Sequence, residues 1–467
     1  MSRHCRILLA ISGILVAAAG SLAGGGSRTQ TPPQQPQTPP DAQQQTEIEL
    51  TITGEPGAPP RLAVPDFIAL RSGADLAALG KTLGQVLWDD LDFEREFYAV
   101  PRDTYASIPA ARSLVDVPFD RWRELGADGV VIGTLRRTGN SVSVQVRLFN
   151  LRTGRSVFGK EYSGSAANPR LYAHTIADEI HQQQRGLRGV ARTKITYSSD
   201  RDGERMPGLF PDRTLKEVYV TDYDGANQRR VTANRSLNIF PVWSPDGRAI
   251  AYTSYRRGFP DVYVSLIYQG TFETPARGTD RTHNWLASWS PDGTRIAFTS
   301  NRDGNPELYV MNRDGSNVRR LTNHPGIDTS PTWSPGGNQV AFTSDRSGTP
   351  QIYVVSADGL ESPRRLTNES YADRPTWSSP PHNEIAYAAR TGPGYDVKIY
   401  EVASGETRQV TFGEGSNESP AFAPNGRHIA FTSTRTGKSQ IFIVGRDGRG
   451  LRQVTNVGNN YTPDWSN

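Results

Sequence analysis

The chain has 467 residues, long enough for two or three domains with sizeable cores. Its 52 basic and 48 acidic residues leave a net charge of +4 and are interspersed, which argues against a surface that tracks a nucleic-acid backbone. Gly 45 and Pro 33 favour tight turns and short strands, and so a largely β architecture.

In chain order, Arg3, His4 and Arg6 precede the apolar run ILLAISGILVAAAG (7–20) and the small-residue stretch SLA (21–23). That pattern predicts an export signal over 1–23, with a run too short to span a bilayer and no membrane insertion once it is cleaved. The sole cysteine, Cys5, lies before the apolar run, so the mature chain must be stable without disulfides. Residues 24–46 include QTPPQQPQTPPDAQQQ (30–45), which has too few apolar side chains to build a core and reads as an extended linker.

Residues 47–187 mix two periodicities and predict a small α/β domain. EIELTIT (47–53) alternates, and RLAVPDF (61–67) reads as a short buried strand. Leu76, Leu79, Leu83, Val86 and Leu87 recur at helical spacing. GVVIGTLRR (129–137) and SVSVQVRLFN (141–150) flank Gly139-Asn140 as a hairpin. PRLYAHTIADEIHQQQ (169–184) reads as an amphipathic helix opened by proline. His174 and His181 lie about 10.5 Å apart along that helix, too far to share one zinc, and are expected to face solvent.

Residues 190–467 are repeats. Trp243, Trp289, Trp333, Trp377, Phe422 and Trp465 recur at intervals of 46, 44, 44, 45 and 43. Each of the first five precedes a turn of the Ser-Pro-Asp-Gly type and an apolar strand such as RIAFTS (295–300). A third strand such as LYV (308–310) and a fourth ending in Val/Leu-Thr, such as RRLT (319–322), complete the unit. ARGTDRT (276–282) is a degenerate fourth strand. Four strands per repeat of this length predict the blade of a β-propeller. The first repeat lacks its first strand, and TPDWSN (462–467) is a first strand with no second. The C-terminal strand is therefore expected to close a six-bladed ring, and the Trp residues to fill the space between blades.

The signal, the segment IELTITGEPGAPPRLAVPDF (48–67) and six Trp-Ser-Pro-Asp-Gly-type repeats together resemble the TolB family of the Tol–Pal system of Gram-negative envelopes. The resemblance covers about 47–467. It implies a monomeric periplasmic scaffold rather than an enzyme. It further implies that the propeller mouth binds the lipoprotein Pal and that the N-terminal region communicates with TolA. Glu47, Ile48, Glu49 and Leu50 are the counterpart of the TolA-binding segment, here internal, at 47–55. The resemblance carries His283 and Asn284, six and five residues before Trp289, and Thr329, four before Trp333, into the Pal-binding mouth; Leu286 and Ser330 stand beside them. Trp285 replaces the glycine usual in the family at that position.

Propeller geometry gives a wider set. The loops entering each first strand and those between second and third strands should share one mouth, with the Pro-Asp-Gly turns at the opposite end. Those loops carry Phe240, Trp285 and Tyr461 as aromatic anchors and Asp373 and Glu418 among their polar groups. No Gly-x-Ser-x-Gly, His-Glu-x-x-His or Cys-based metal motif occurs, and no cofactor is expected, a Ca²⁺ ion in the channel being left open. Asp200–Gly203 and Asp222–Gly225 read as hairpin turns. The alternative reading is an exported propeller enzyme, or a protein binding a sugar, a peptide or another small ligand in its channel.

Overall fold

The computed structural model describes residues 51–54, 58–71, 73–205 and 214–467. The signal, the linker and Glu47, Ile48, Glu49 and Leu50 lie outside the described residues.

The first domain is one sheet with helices on it. Its elements are β1 (Arg61–Ala63), β2 (Ile68–Ala69), α1 (Ala74–Glu94), β3 (Tyr98–Ala99), α2 (Phe119–Glu124), β4 (Gly129–Thr138), β5 (Ser141–Asn150), β6 (Arg155–Ser165) and α3 (Pro169–Arg185). The sheet order is β3-β1-β4-β5-β6, with β2 also on β4. β4 and β5 form the hairpin expected around Gly139-Asn140. Alternation on β5 sends Val142, Val144, Val146 and Leu148 into one core with Leu83, Leu87 and Leu91 of α1 and Ile176 and Ile180 of α3. Asn168 caps α3, its side chain accepting from the Leu171 amide, and Gly186 ends the helix at φ 64°.

The expectation that His174 and His181 face solvent is wrong: both are buried. They lie on the face of α3 turned to α1 and the propeller. His174 Nδ1 is 2.8 Å from Asp90 Oδ2, and His181 Nδ1 is 3.0 Å from the Ala177 carbonyl. In each imidazole only Nδ1 finds a partner; both Nε2 atoms are buried without one, and burial pushes the His181 imidazole down to about 4.

The remaining strands form six four-stranded antiparallel sheets. Their inner strands are Asn238–Trp243 (blade 1), Asn284–Trp289 (blade 2), Asp328–Trp333 (blade 3), Ala372–Trp377 (blade 4), Asn417–Phe422 (blade 5) and Asn460–Trp465 (blade 6). Blade 6 is the closure: its inner strand pairs with Lys194–Ser199, register Trp465↔Ile195 and Asn460↔Ser199. Trp465 Nε1 donates to Thr193 Oγ1 at 2.6 Å, tying the last strand to the start of the ring. The inter-blade role of the aromatics is as expected. Trp289 packs with Ala249, Val262 and Val264 of blade 1, and Trp333 with Ala297, Leu308 and Val310 of blade 2. One strand assignment is corrected: the outer strand of blade 1 is Thr271–Ala276, upstream of the expected ARGTDRT.

The N-terminal domain docks on the Pro-Asp-Gly end of blades 5 and 6. The Tyr223 hydroxyl donates to Asp90 Oδ1 at 2.6 Å, and Phe93 stacks on His428 with centroids 4.5 Å apart. Arg427, beside the Pro424-Asn425-Gly426 turn, pairs with Glu94 and, at 2.6 Å, with Glu96. Burial pushes the Glu94 carboxyl up to about 7 against the pull of the Arg427 guanidinium.

Candidate partner-binding mouth of the propeller

At the end away from the N-terminal domain, the backbone builds a mouth by repetition. The first residue of an inner strand donates its amide to the loop before the third strand of the preceding blade: Asn284 to Pro260 O, Asp328 to Pro306 O, Ala372 to Pro350 O. This places the two sets of loops side by side, as the sequence geometry required. The first residues Asn238, Asn284, Asp328, Asn417 and Asn460 are all fully buried.

Two residues further, every inner strand breaks register in a β-bulge. The third residues, Phe240, Leu286, Ser330, Arg374, Ser419 and Thr462, all sit in the left-handed region with φ between 50° and 56°. Such a backbone costs on the order of 1–3 kcal/mol for a non-glycine residue, so it persists only where neighbours hold it. Hydroxyls of the preceding blade do so: Thr253 Oγ1 accepts from Leu286 N at 3.1 Å, Thr343 Oγ1 from Arg374 N at 3.2 Å, and Thr432 Oγ1 from Thr462 N at 2.9 Å. The bulges turn three residues per strand into the axis and leave a channel cavity of about 130 Å³.

The channel is asymmetric despite its repeats. Arg374 of blade 4 reaches across the axis to blade 1, its guanidinium 4.3 Å from the centroid of the Phe240 ring. This bar crosses the channel near the mouth. At the inner end, where the other blades place Val242, Ser288, Thr332, Thr376 and Ala421, blade 6 places Asp464. The channel reaches this side chain, yet it sits deep in the protein body. Burial pushes its carboxyl up to about 7, and its Oδ2 accepts from Trp243 N at 2.7 Å.

The residues expected at the mouth fall into three groups. Phe240, Leu286 and Ser330 line the channel. Ser330 Oγ donates to Asp373 Oδ1 at 3.4 Å, and that same carboxylate accepts from Thr343 Oγ1 and the Arg374 amide. Outside the channel lie His283, Trp285, Thr329, Asp373, Glu418 and Tyr461. His283 is half-buried, its ring parallel to Phe259 with centroids 6.4 Å apart, and its amide donates to Asn301 Oδ1. The Thr329 hydroxyl is 3.3 Å from that of Thr299, Glu418 accepts from Ser416 Oγ, and Lys216 Nζ lies 3.7 Å from the Tyr461 ring centroid. Asn284 forms the third group alone. Its side chain is buried, with Oδ1 accepting from Arg302 Nη2 at 3.0 Å, so it shapes the loop from beneath.

Sequence reasoning missed Arg374, Ser419 and Thr462. A signal was present: the left-handed residue precedes proline in five of six blades, at Pro241, Pro331, Pro375, Pro420 and Pro463.

A channel ringed by six bulged strands, opened at one end by loops and covered in part at the other by a small α/β domain, defines a two-domain β-propeller protein. Residues 182–467 match the family described as "TolB beta propeller domain" and residues 48–157 that described as "TolB amino-terminal domain". The chain belongs to the TolB family. It is 35% identical over 217 residues to the Tol-Pal system protein TolB of Desulfosudis oleivorans, covering 46% of this chain and 43% of that one. It is 39% identical over 246 residues to that of Anaeromyxobacter dehalogenans strain 2CP-1, covering 53% and 52%. The chain thus spans about half the length of the curated relatives it matches. The crystal structure of TolB from Acinetobacter baumannii superposes with a TM-score of 0.73 at 27% identity, over 88% of this chain and 96% of that one. No helix among the described residues is long and apolar enough to cross a membrane.

Proposed function

We propose that this chain is a periplasmic scaffold of a Tol–Pal system. Its propeller mouth binds Pal, and its N-terminal region engages TolA. Together these contacts support outer-membrane integrity and constriction during division. The observation that carries the reading is the mouth itself: a fixed, repeated backbone presenting six different loops, with half-buried aromatics among polar groups. Rigid anchors inside a polar rim suit a protein partner. Among the described residues lining the channel, Asp464 is the one carboxylate, and no second acid stands beside it as a general acid–base pair would need.

The test is calorimetric titration of residues 24–467 with the soluble domain of Pal from the same host. Saturable one-to-one binding that weakens at least tenfold in a His283→Glu, Thr329→Glu double variant supports the reading and its site. No heat at high micromolar concentration would remove it. Binding that the double variant leaves unchanged would keep the partner and move the site.

A further inference from the structure

The outer strand of blade 1 is unlike the other five. Those are two or three residues long, for instance Arg229–Arg230 in blade 6 and Arg319–Arg320 in blade 2, whereas Thr271–Ala276 has six. The cause is local. In the other blades a threonine ends the outer strand by turning its hydroxyl back onto the third strand. Thr232 Oγ1 takes Val218 N at 2.8 Å, Thr322 takes Leu308 N, Thr367 takes Ile352 N, Thr411 takes Val397 N and Thr455 takes Ile441 N. Blade 1 has no such threonine. There Val262 pairs with Ala276 in the ladder, and the Asp261 carboxylate instead receives the Gly278 amide.

The strand pairs only with Asp261–Leu266, so among the described residues its outward peptide groups have no partner over 271–274. A bulge after Glu273 and Pro275 close off the far end of the strand, so the open run is 271–274; a free edge there is a template for another strand. Two apolar rings mark it: Tyr268 is 78% exposed and Phe272 47%. Beside its first half runs a groove of about 420 Å³ shared with blade 6, lined by Arg229, Arg230, Arg256 and Phe272 and by no acid. Arg230 is neutralised by Asp202, Glu204 and Glu217. Arg229 and Arg256 have no carboxylate within ion-pair distance among the described residues, and Arg256 lies over the Phe272 ring at 4.5 Å.

We infer that this edge is a second docking site, distinct from the mouth, for an extended acidic segment of a partner protein that adds to blade 1 as a fifth strand. The backbone edge supplies affinity without sequence preference. The alternation of an added strand sends every second side chain over the arginine groove, where an acid meets Arg229 and Arg256. Intervening small apolar side chains cover the opposite face of the added strand.

The probe is a fluorescein-labelled peptide, TEVEVEVT, titrated with residues 24–467 and read by anisotropy. The comparison ligands are TKVKVKVT and a (dT)20 oligonucleotide. The expected result is saturable binding of the acidic peptide below about 1 mM, at least tenfold weaker for the lysine peptide and for the Arg229→Glu, Arg256→Glu double variant. Hydrogen exchange of the unaltered chain should slow over 271–274 when the acidic peptide is bound. That readout decides the matter even if the double variant is poorly folded. Equal binding of both peptides, protection elsewhere than 271–274, or no saturation by about 1 mM would overturn the site. Displacement of the acidic peptide by (dT)20 would overturn it in favour of a nucleic-acid surface.

Discussion

At the Pro-Asp-Gly end of the ring, α1 and α3 cover Tyr223, Asn425 and His428; at the other end the inner strands begin in open loops around the channel. The covered end is held by contacts that occur once: the Asp90–Tyr223 hydrogen bond, the Phe93–His428 stack, and Arg427 between Glu94 and Glu96. The open end is built from one backbone feature repeated in all six blades, a left-handed bulge, whose amide in three of them, at Leu286, Arg374 and Thr462, is taken by a threonine hydroxyl of the neighbouring blade. A one-off network fixes a single orientation of two domains. A repeated backbone leaves its side chains free to differ, which is what a recognition surface needs.

The sharpest way to break this contrast is at the covered end. Arg427→Ala leaves Glu94 buried without its cation, and the expected loss is about 3 kcal/mol in urea unfolding. The mouth loops should keep their native hydrogen-exchange protection under folding conditions. Next in size is Asp464. The folded chain holds its proton up to about pH 7, while an unfolded aspartate releases it near 4. Between those values the folded state binds the extra proton, so this carboxyl costs stability progressively as pH rises from about 4 to 7, then levels off. Asp464→Asn should therefore raise stability by at least about 1 kcal/mol at pH 8 and change it little at pH 4, measured by paired melts.

At the open end the effects should fall on binding. Thr329→Glu should weaken Pal binding about tenfold, about 1.4 kcal/mol, with a melting temperature close to that of the unaltered chain. Smallest is the bar across the channel: Phe240→Ala removes the surface under the Arg374 guanidinium and should cost about 0.5–1 kcal/mol of stability. A larger loss would mean that Phe240 supports the bulge of blade 1 as well as the bar.

The same contrast explains what could be read before the structure. The ring was legible because its signals repeat: one aromatic per 43–46 residues, a Pro-Asp-Gly-type turn after most of them, and a first strand left over at the end. The β4–β5 hairpin and both long helices followed from periodicity. The domain interface was not legible, because a helix face buried against a second domain looks, in one sequence, like a face turned to water. That is why His174 and His181 were misplaced. At the mouth, the loops were located by topology, but nothing in one sequence shows that Asn284, which the resemblance carries into the mouth, is one of a ring of buried strand starts. Arg374 escaped notice because its partner, Phe240, lies three blades away across the axis. The outer strand of blade 1 was misplaced because the missing threonine disguised the repeat.

The most direct test of the account is hydrogen exchange of residues 24–467 with and without the soluble domain of Pal. Slowed exchange over 283–286, 328–331 and 372–374, with none added around Glu94, Asn425 and Arg427, is the predicted result. Protection centred on the Pro-Asp-Gly end, or none at the mouth under saturating Pal, would contradict it.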